Sequence, residues 1–516
     1  MRLNDEQAPR LGFWTLLLCS LFAWAPAAYP GYWQGWEGFI PVWNSVQSSA
    51  LAGVATAPDL WRGTGSAAFL PAQPLLLAGM SPVAAVRAVF ALSFLLGGLG
   101  IYAWLRLRLG DRAAGLAGVV YLLMPPFVAA VYVRGSLSDA LLLGLLPLAL
   151  AGVAAYADSH APSAAGVVVL CILWMWRVQA GLALLAALLL LVYAAWVERS
   201  RLALLVVAMS AAAGLVSLIP LWAIRAEPPV PFDGHFLALG QLLYAAWPAA
   251  PGERAAYPFQ LGFAVLVLGI MAVWLWRAGT ASRPSAVPGR MLGFALGGAL
   301  LLLLLSLSVS APLWRWTGAD RLLTYPWQIV LVAAPLLALL AGSVPALSPT
   351  LQRAPLWAVL VGLTLLSSYP LLTVAGTQIT PPDRPAAMIG ARQELAILEA
   401  KVIENPGLGS ATLHVTWQVL RPLPFDYNVF FQAVTTDDQG DHVLAQLDVQ
   451  PLKGEQPATT WQPGEIYRAR YALRAGRDAL QDAAPVRYYF GFYDWRDGAR
   501  LAVDGGIDDK MILFAE

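Results

Sequence analysis

The first 375 residues contain eleven long stretches almost free of charge, and this feature limits the fold more than any motif does. Lipid offers the backbone no hydrogen-bond partner, so a segment that crosses it is a helix of about 20 apolar residues or part of a closed barrel. The stretches lie near 11–30, 88–105, 113–133, 140–156, 161–176, 178–197, 202–224, 258–276, 291–314, 323–343 and 355–375. They read as about eleven spans of a polytopic helical membrane protein. The pair around Arg177 is the least regular: residues 161–197 hold one charge, and "WMWRVQAG" reads as a tight hairpin or a break inside the membrane.

Charge separates the chain into two parts. Residues 1–375 carry 19 Arg, no Lys and 12 acids, whereas residues 376–516 carry 10 Arg, 3 Lys and 19 acids. Over the whole chain only 12% of residues are charged and 59% are hydrophobic. A soluble enzyme has about 25% charged residues, so that class is excluded. The net charge of +1 and the lack of a Lys/Arg cluster exclude nucleic-acid binding. Cys19 and Cys171 lie in apolar runs and read as small buried hydrophobes, with no disulfide or Cys-based metal site to build.

Arginine placement orients the spans. With the N-terminus in the cytoplasm, the inner side holds 11 Arg and the outer side 8, and the inner loops are much the shorter. An odd span count then places residues 376–516 outside the plasma membrane. The alternative for the first span is a cleaved signal peptide, with "LGFWTLLLCSLFAW" as its apolar region and "APAA" after it; cleavage leaves the downstream topology unchanged. Two outer loops, about 29–81 and 225–257, are long enough to fold. Their aromatics suit a membrane interface or the roof of a site.

The tail opens on a Pro-rich linker, and residues 376–405 read as that linker plus an amphipathic helix near 386–402, with Leu395, Leu398 and Val402 on one face. Beyond it the period falls to two. "ATLHVTWQVL", "YNVFFQAVTT", "HVLAQLDVQ", "EIYRARYAL", "VRYYFGFYDW" and "GARLAVD" alternate between turn residues, so residues 406–516 read as an all-β sandwich. Trp417, Tyr488 and Tyr493 are expected in its core.

No GxGxxG after a strand, P-loop, HExxH or GxSxG is present, and the four histidines are scattered, so a His-ligated metal site is not expected. The candidate residues are charges in or beside apolar stretches, which are costly there. Glu37 in "YWQGWEGFIPVW" is a carboxylate among three Trp, where desolvation raises a pKa toward general-base values; the bland alternative is a surface Glu in an aromatic belt. Arg134 and Asp139 in "VYVRGSLSDALLLGLLPL" end one span and open the next, as an ion pair or helix cap, or with Arg134 binding a lipid phosphate. Arg315 and Arg321 flank Asp320 as a second phosphate clamp or as interfacial anchors. Arg177 lines a cavity or marks a hairpin tip.

Taken together, the outer loop after the first span, "VYVRGSLSDALLLGLLPLAL" and "DRLLTYPWQIVLVAA" resemble bacterial polytopic membrane proteins of the 6-pyruvoyl-tetrahydropterin synthase-related type. These in turn resemble the C-type superfamily of membrane glycosyltransferases. "LHVTWQVLRPL", "DVQPLKGEQPATTWQPGE" and "YYFGFYDWRDGARL" resemble a β-sandwich appended to such transferases. The resemblance implies a polyprenyl-phosphate-linked sugar as donor, a glycan, lipid or protein acceptor of the cell envelope, and an acid of the first outer loop that acts as base or binds a divalent metal. Glu37 best fits that acid, with Asp59 as a second. The chain departs from the pattern in having Glu where Asp is more usual, and "GFIPVWN" where relatives often carry a histidine. The expected function is transfer of the sugar to an extracytoplasmic acceptor, with Glu37 as base and Arg134, Asp139, Arg321 and Arg177 at the substrate. No cofactor beyond such a metal is expected, and the partners are the lipid-linked sugar, its acceptor and membrane lipid. The competing expectation is a non-catalytic transporter, flippase or scaffold for envelope glycan assembly, favoured by the missing acid/base signatures.

Overall fold

The computed structural model describes residues 10–33, 35–49, 66–218, 232–244, 257–279, 288–321, 323–372, 374, 376–377, 379–382, 384–437, 440–476, 486–504 and 509–515. These form two compact units. One is helical and holds Met1–Trp33 and Asn44–Gly376; the other is mostly β and holds Thr377–Glu516 together with Gln34–Trp43.

Each of the eleven apolar stretches meets one apolar helix of the helical unit. We label them α1 (Leu11–Ala28), α2 (Pro82–Leu109), α3 (Asp111–Arg134), α4 (Leu137–Ser159), α5 (Pro162–Val178), α6 (Ala180–Glu198), α7 (Arg201–Val216), α8 (Phe263–Gly279), α9 (Gly289–Ser306), α10 (Pro326–Leu347) and α11 (Ala354–Leu372). Eight of these, all but α5, α7 and α8, are long and apolar enough to cross a membrane. The outward faces of the eleven helices are apolar as well: Leu18, Ile270 and Leu366 are 62%, 71% and 72% exposed. Faces that meet lipid have this character.

Helix ends follow local chemistry. Ser81, Ser136 and Ser200 cap α2, α4 and α7 by accepting from the backbone N–H of Ala84, Asp139 and Ala203. Pro82 and Pro162 stand in first turns, where a missing N–H costs nothing. α3 and α10 lie innermost, with 94% and 89% of their apolar windows buried. Small residues let the backbones close up: a Cβ on Gly115 of α3 would stand 2.5 Å from the Gly12 Cα of α1.

Polar contacts sort the helix ends into two poles. At one, Arg108 bridges Asp158 (2.9 Å) and Glu198 (2.8 Å). Asp111 accepts there from Gly12 N and Tyr102 Oη, each at 2.6 Å, and Arg112 Nη1 donates to Gln352 O at 2.6 Å. At the other, Trp174 Nε1 donates to Ala67 O (3.1 Å), Leu237 N to Ser306 O (2.9 Å) and Leu261 N to Leu242 O (2.9 Å). This alternation is what a chain of antiparallel helix hairpins produces.

Among the described residues of the all-β unit, nine strands make two antiparallel sheets. We label them β1 (Ala387–Ile389), β2 (Leu395–Asn405), β3 (Ser410–Val419), β4 (Asn428–Asp437), β5 (Gly440–Val449), β6 (Ile466–Arg474), β7 (Arg487–Tyr493), β8 (Val503–Asp504) and β9 (Met511–Leu513). The sheet orders are β8-β1-β2-β3-β6 and β9-β7-β4-β5. One hydrophobic core takes residues from both, including Ile397, Leu413 and Trp417 from the first and Phe431, Tyr488 and Phe490 from the second. The expected core places of Trp417 and Tyr488 hold. Tyr493 is half-buried and packs instead against a small cluster of Phe430, Val434 and Tyr489.

Two expectations for the tail are corrected. Residues 386–402 are not an amphipathic helix but β1, a turn and most of β2, so the β structure begins near 387 rather than 406. The cause is a bulge. Pairing of β2 with β3 slips between Ile397 and Glu399, so inward positions are odd before it (Leu395, Ile397) and even after it (Val402). Spacings of three and four from Leu395 to Leu398 to Val402 then imitate a helical stripe. The second correction concerns "GARLAVD", which yields only the two-residue β8.

Candidate functional site

Among the described residues of the helical unit, the two buried charged side chains, Arg134 and Asp139, lie together at the second pole, where four chain breaks meet. α3 closes on a π-turn, Ala130–Arg134, followed by Gly135 at φ 73°. Such turns cluster at functional sites. Its last residue, Arg134, is 7% exposed. The next break is Ser136, which opens α4 and sets Asp139, with 0% exposure, in the first turn. Arg134 Nη1 and Asp139 Oδ2 form an ion pair. The third break is at the start of α10: Gln328 Nε2 donates to Asp139 Oδ1 at 3.2 Å, while its Oε1 accepts from Tyr325 N at 3.2 Å. The fourth is Gln179, whose extended backbone (φ −158°, ψ 89°) separates α5 from α6. Its amide is fully buried and faces the same carboxylate, but closes no hydrogen bond of ordinary geometry.

Aromatic rings enclose this group. The Arg134 guanidinium lies 5.4 Å from the ring centres of both Tyr325 and Trp327. Tyr325 stacks on Trp327 at 5.2 Å, Tyr257 stacks on Trp327 at 4.6 Å, and His235 meets Tyr325 edge-on at 5.0 Å. Partial burial lowers the pKa of His235, so its imidazole is neutral at pH 7. A carboxylate and a guanidinium are thus held out of water, each oriented by more than one neighbour. A guanidinium so placed matches the forked geometry of a phosphate.

Of the expected residues whose side chains are described, only Arg134 and Asp139 come together here. Arg177 lies outside the cluster: its Nη1 donates to Ser217 O at 3.3 Å and ties the end of α5 to that of α7. Arg315 pairs with Asp233 at 3.2 Å rather than with Asp320, and both side chains are exposed, as anchors are. Asp59 and the side chain of Arg321 lie outside the described residues. Glu37 belongs to the all-β unit. It is half-buried in a tight turn, where its carbonyl accepts from Ile40 N at 3.1 Å. The next residue, Gly38, has φ 51°, and Phe39 N donates to Gln418 Oε1 at 2.9 Å. Among the described residues no three His, Cys, Asp or Glu side chains stand close enough to hold a metal ion.

Gln179 and Gln328 were not singled out from the sequence. The signal was an uncharged amide inside the apolar runs "WMWRVQAG" and "TYPWQIV". Comparison of the chain with protein-family models and with curated proteins finds no match.

Proposed function

We propose that the chain is a plasma-membrane glycosyltransferase with eleven crossings, a cytoplasmic N-terminus and an extracytoplasmic β-sandwich. It transfers a sugar from a polyprenyl-phosphate donor to an extracytoplasmic acceptor. The observation that carries this reading is the buried Arg134–Asp139 pair. A bundle held by packing alone has no need of two desolvated charges, and an ionisable pair buried among apolar helices marks a functional site by default. Arg134 binds the lipid phosphate, Asp139 and Gln328 set the plane of its guanidinium, and the Tyr325–Trp327 stack lines the approach. A carboxylate base takes the proton from the acceptor hydroxyl as that oxygen attacks the anomeric carbon. The lipid phosphate leaves as an anion, stabilised by Arg134.

A scaffold, flippase or transporter for envelope glycan assembly is the second reading. The pairing of Arg134 with Asp139 favours it, because that charge is already compensated. The deciving assay is turnover of polyprenyl-phosphate sugars by the protein in nanodiscs. The transferase reading predicts that Glu37→Gln lowers turnover by about 100-fold or more with melting unchanged. Normal function of that variant supports the scaffold.

A further inference from the structure

Positive charge collects on the outward face of β2, β3 and β6. In β6 the buried Tyr471 and Leu473 turn Arg468, Arg470 and Arg474 to the opposite side, and all three are exposed. The ladders fix their neighbours. Arg468 stands beside Thr416 of β3, Arg470 beside His414 and Arg474 beside Ser410. Lys401 of β2 lies on the far side of His414. Lys401 pairs with Glu399 at 3.6 Å. Among the described residues the three arginines make no ion pair or side-chain hydrogen bond. β6 ends its sheet, and a charge there deters pairing by a foreign strand, but one arginine would do that.

The surroundings say what such a face meets. Residues 376–516 carry 19 acids against 10 Arg and 3 Lys, so this part of the chain is acidic as a whole. A basic face on an acidic body turns toward an anionic partner while the other faces turn away. Aliphatic side chains stand with the arginines. Ile403, outward on β2, is 52% exposed, and Leu408, in the turn from β2 to β3, is 65% exposed. That turn adjoins Arg474, because Ala475 N donates to Gly409 O at 2.9 Å. Basic groups around exposed aliphatics suit a lipid surface, where the aliphatics enter the headgroup boundary and the cations meet anionic lipid. A sheet face is also broad and open, so it meets a plane better than a polymer thread. The far end of the face takes the segment that follows α1: Phe39 N donates to Gln418 Oε1 at 2.9 Å. Only residues 29–38 lie between α1 and Phe39, and only residues 373–386 between α11 and β1. At about 3.5 Å per residue, those connections keep the face within reach of a bilayer that the helices cross. Lipid is therefore the anionic partner at the highest local concentration.

We propose that the outward face of β2, β3 and β6 docks on the anionic headgroup layer of the bilayer that the apolar helices cross. The proposal rests on those helices crossing a bilayer and not on the transferase reading.

The test uses the full chain in nanodiscs that carry a headgroup nitroxide quencher, made of phosphatidylcholine alone or mixed equally with phosphatidylglycerol. Ala472→Cys, between Arg470 and Arg474, takes a bimane label; native Cys19 and Cys171 are buried. Val443→Cys on β5, a site 53% exposed, serves as the control. The Ala472 label should be quenched in the anionic discs and largely spared in the neutral ones, with the Val443 label spared in both. Each arginine beside an anionic surface adds about a fivefold preference for the docked state, so Arg468→Gln/Arg470→Gln/Arg474→Gln should lower the docked-to-free ratio on the order of 100-fold. Raised salt should relieve the quenching with the arginines intact. The proposal is overturned if the two kinds of disc quench the Ala472 label equally, or if the triple variant or high salt leaves the quenching unchanged. It is also overturned if the label stays clear of the headgroups while the same arginines retain soluble polyphosphate, which would assign the face to a polymer.

Discussion

At the residue scale, the Arg134–Asp139 pair carries the strongest energetic consequence. Removing one member of a buried pair strands the other charge at a cost of about 3–5 kcal/mol, whereas replacing both with apolar groups is often neutral. Arg134→Leu and Asp139→Leu should each lower the melting temperature in detergent, and the double variant should recover most of the loss. Equal and additive losses would show that the two charges do not depend on each other. Gly38 gives a second case. Its φ of 51° is left-handed, and a Cβ there would stand 2.4 Å from Gln418 Oε1. Gly38→Ala should cost at least about 1–2 kcal/mol from backbone strain alone, read by thermal melting. The charges of the candidate site were legible in the sequence because a charge inside an apolar run stands out. The amides were not: Gln179 and Gln328 carry no charge, and only the fold shows that they face Asp139.

At the scale of elements, the apolar helices were legible because lipid imposes one length and one composition on each. The tail was harder. Alternation revealed β3 to β7 because their two faces differ, but the bulge in β2 broke the period and imitated a helix. The π-turn at the end of α3 was likewise invisible, since one extra residue in a turn leaves no compositional trace. Deleting Val133 should convert that turn toward α geometry and swing Arg134 about 100° away from Asp139. The expected loss matches that of Arg134→Leu in the same melting assay. Acid should act on the turn after β7. Arg496 holds the Asp494 carboxyl down at about 2. A carboxyl depressed on folding adds stability above its unfolded value near pH 4, and that contribution fades as pH falls toward about 2. The melting gap between wild type and Asp494→Asn should therefore narrow between about pH 4 and about pH 2. A constant gap would place the clasp's contribution elsewhere.

At the scale of the whole molecule, the proposal joins three features: helices that alternate between two poles, a buried polar site at one of them, and a β-sandwich. The proposed sidedness rests on the arginine skew and on a proposed odd number of crossings. Cysteines placed at Ala281 and Glu455 should report opposite sides to an impermeant thiol reagent in intact cells, with only the second labelled; native Cys19 and Cys171 are buried and should stay silent. The central claim is that the Arg134 site holds a lipid phosphate, and mass spectrometry of lipid retained by the purified protein tests it most directly. Wild type should carry a polyprenyl-phosphate lipid, and the Arg134→Leu/Asp139→Leu double variant, folded but without the guanidinium, should lose it. A double variant that keeps the lipid, or a wild type that carries none, would contradict the account.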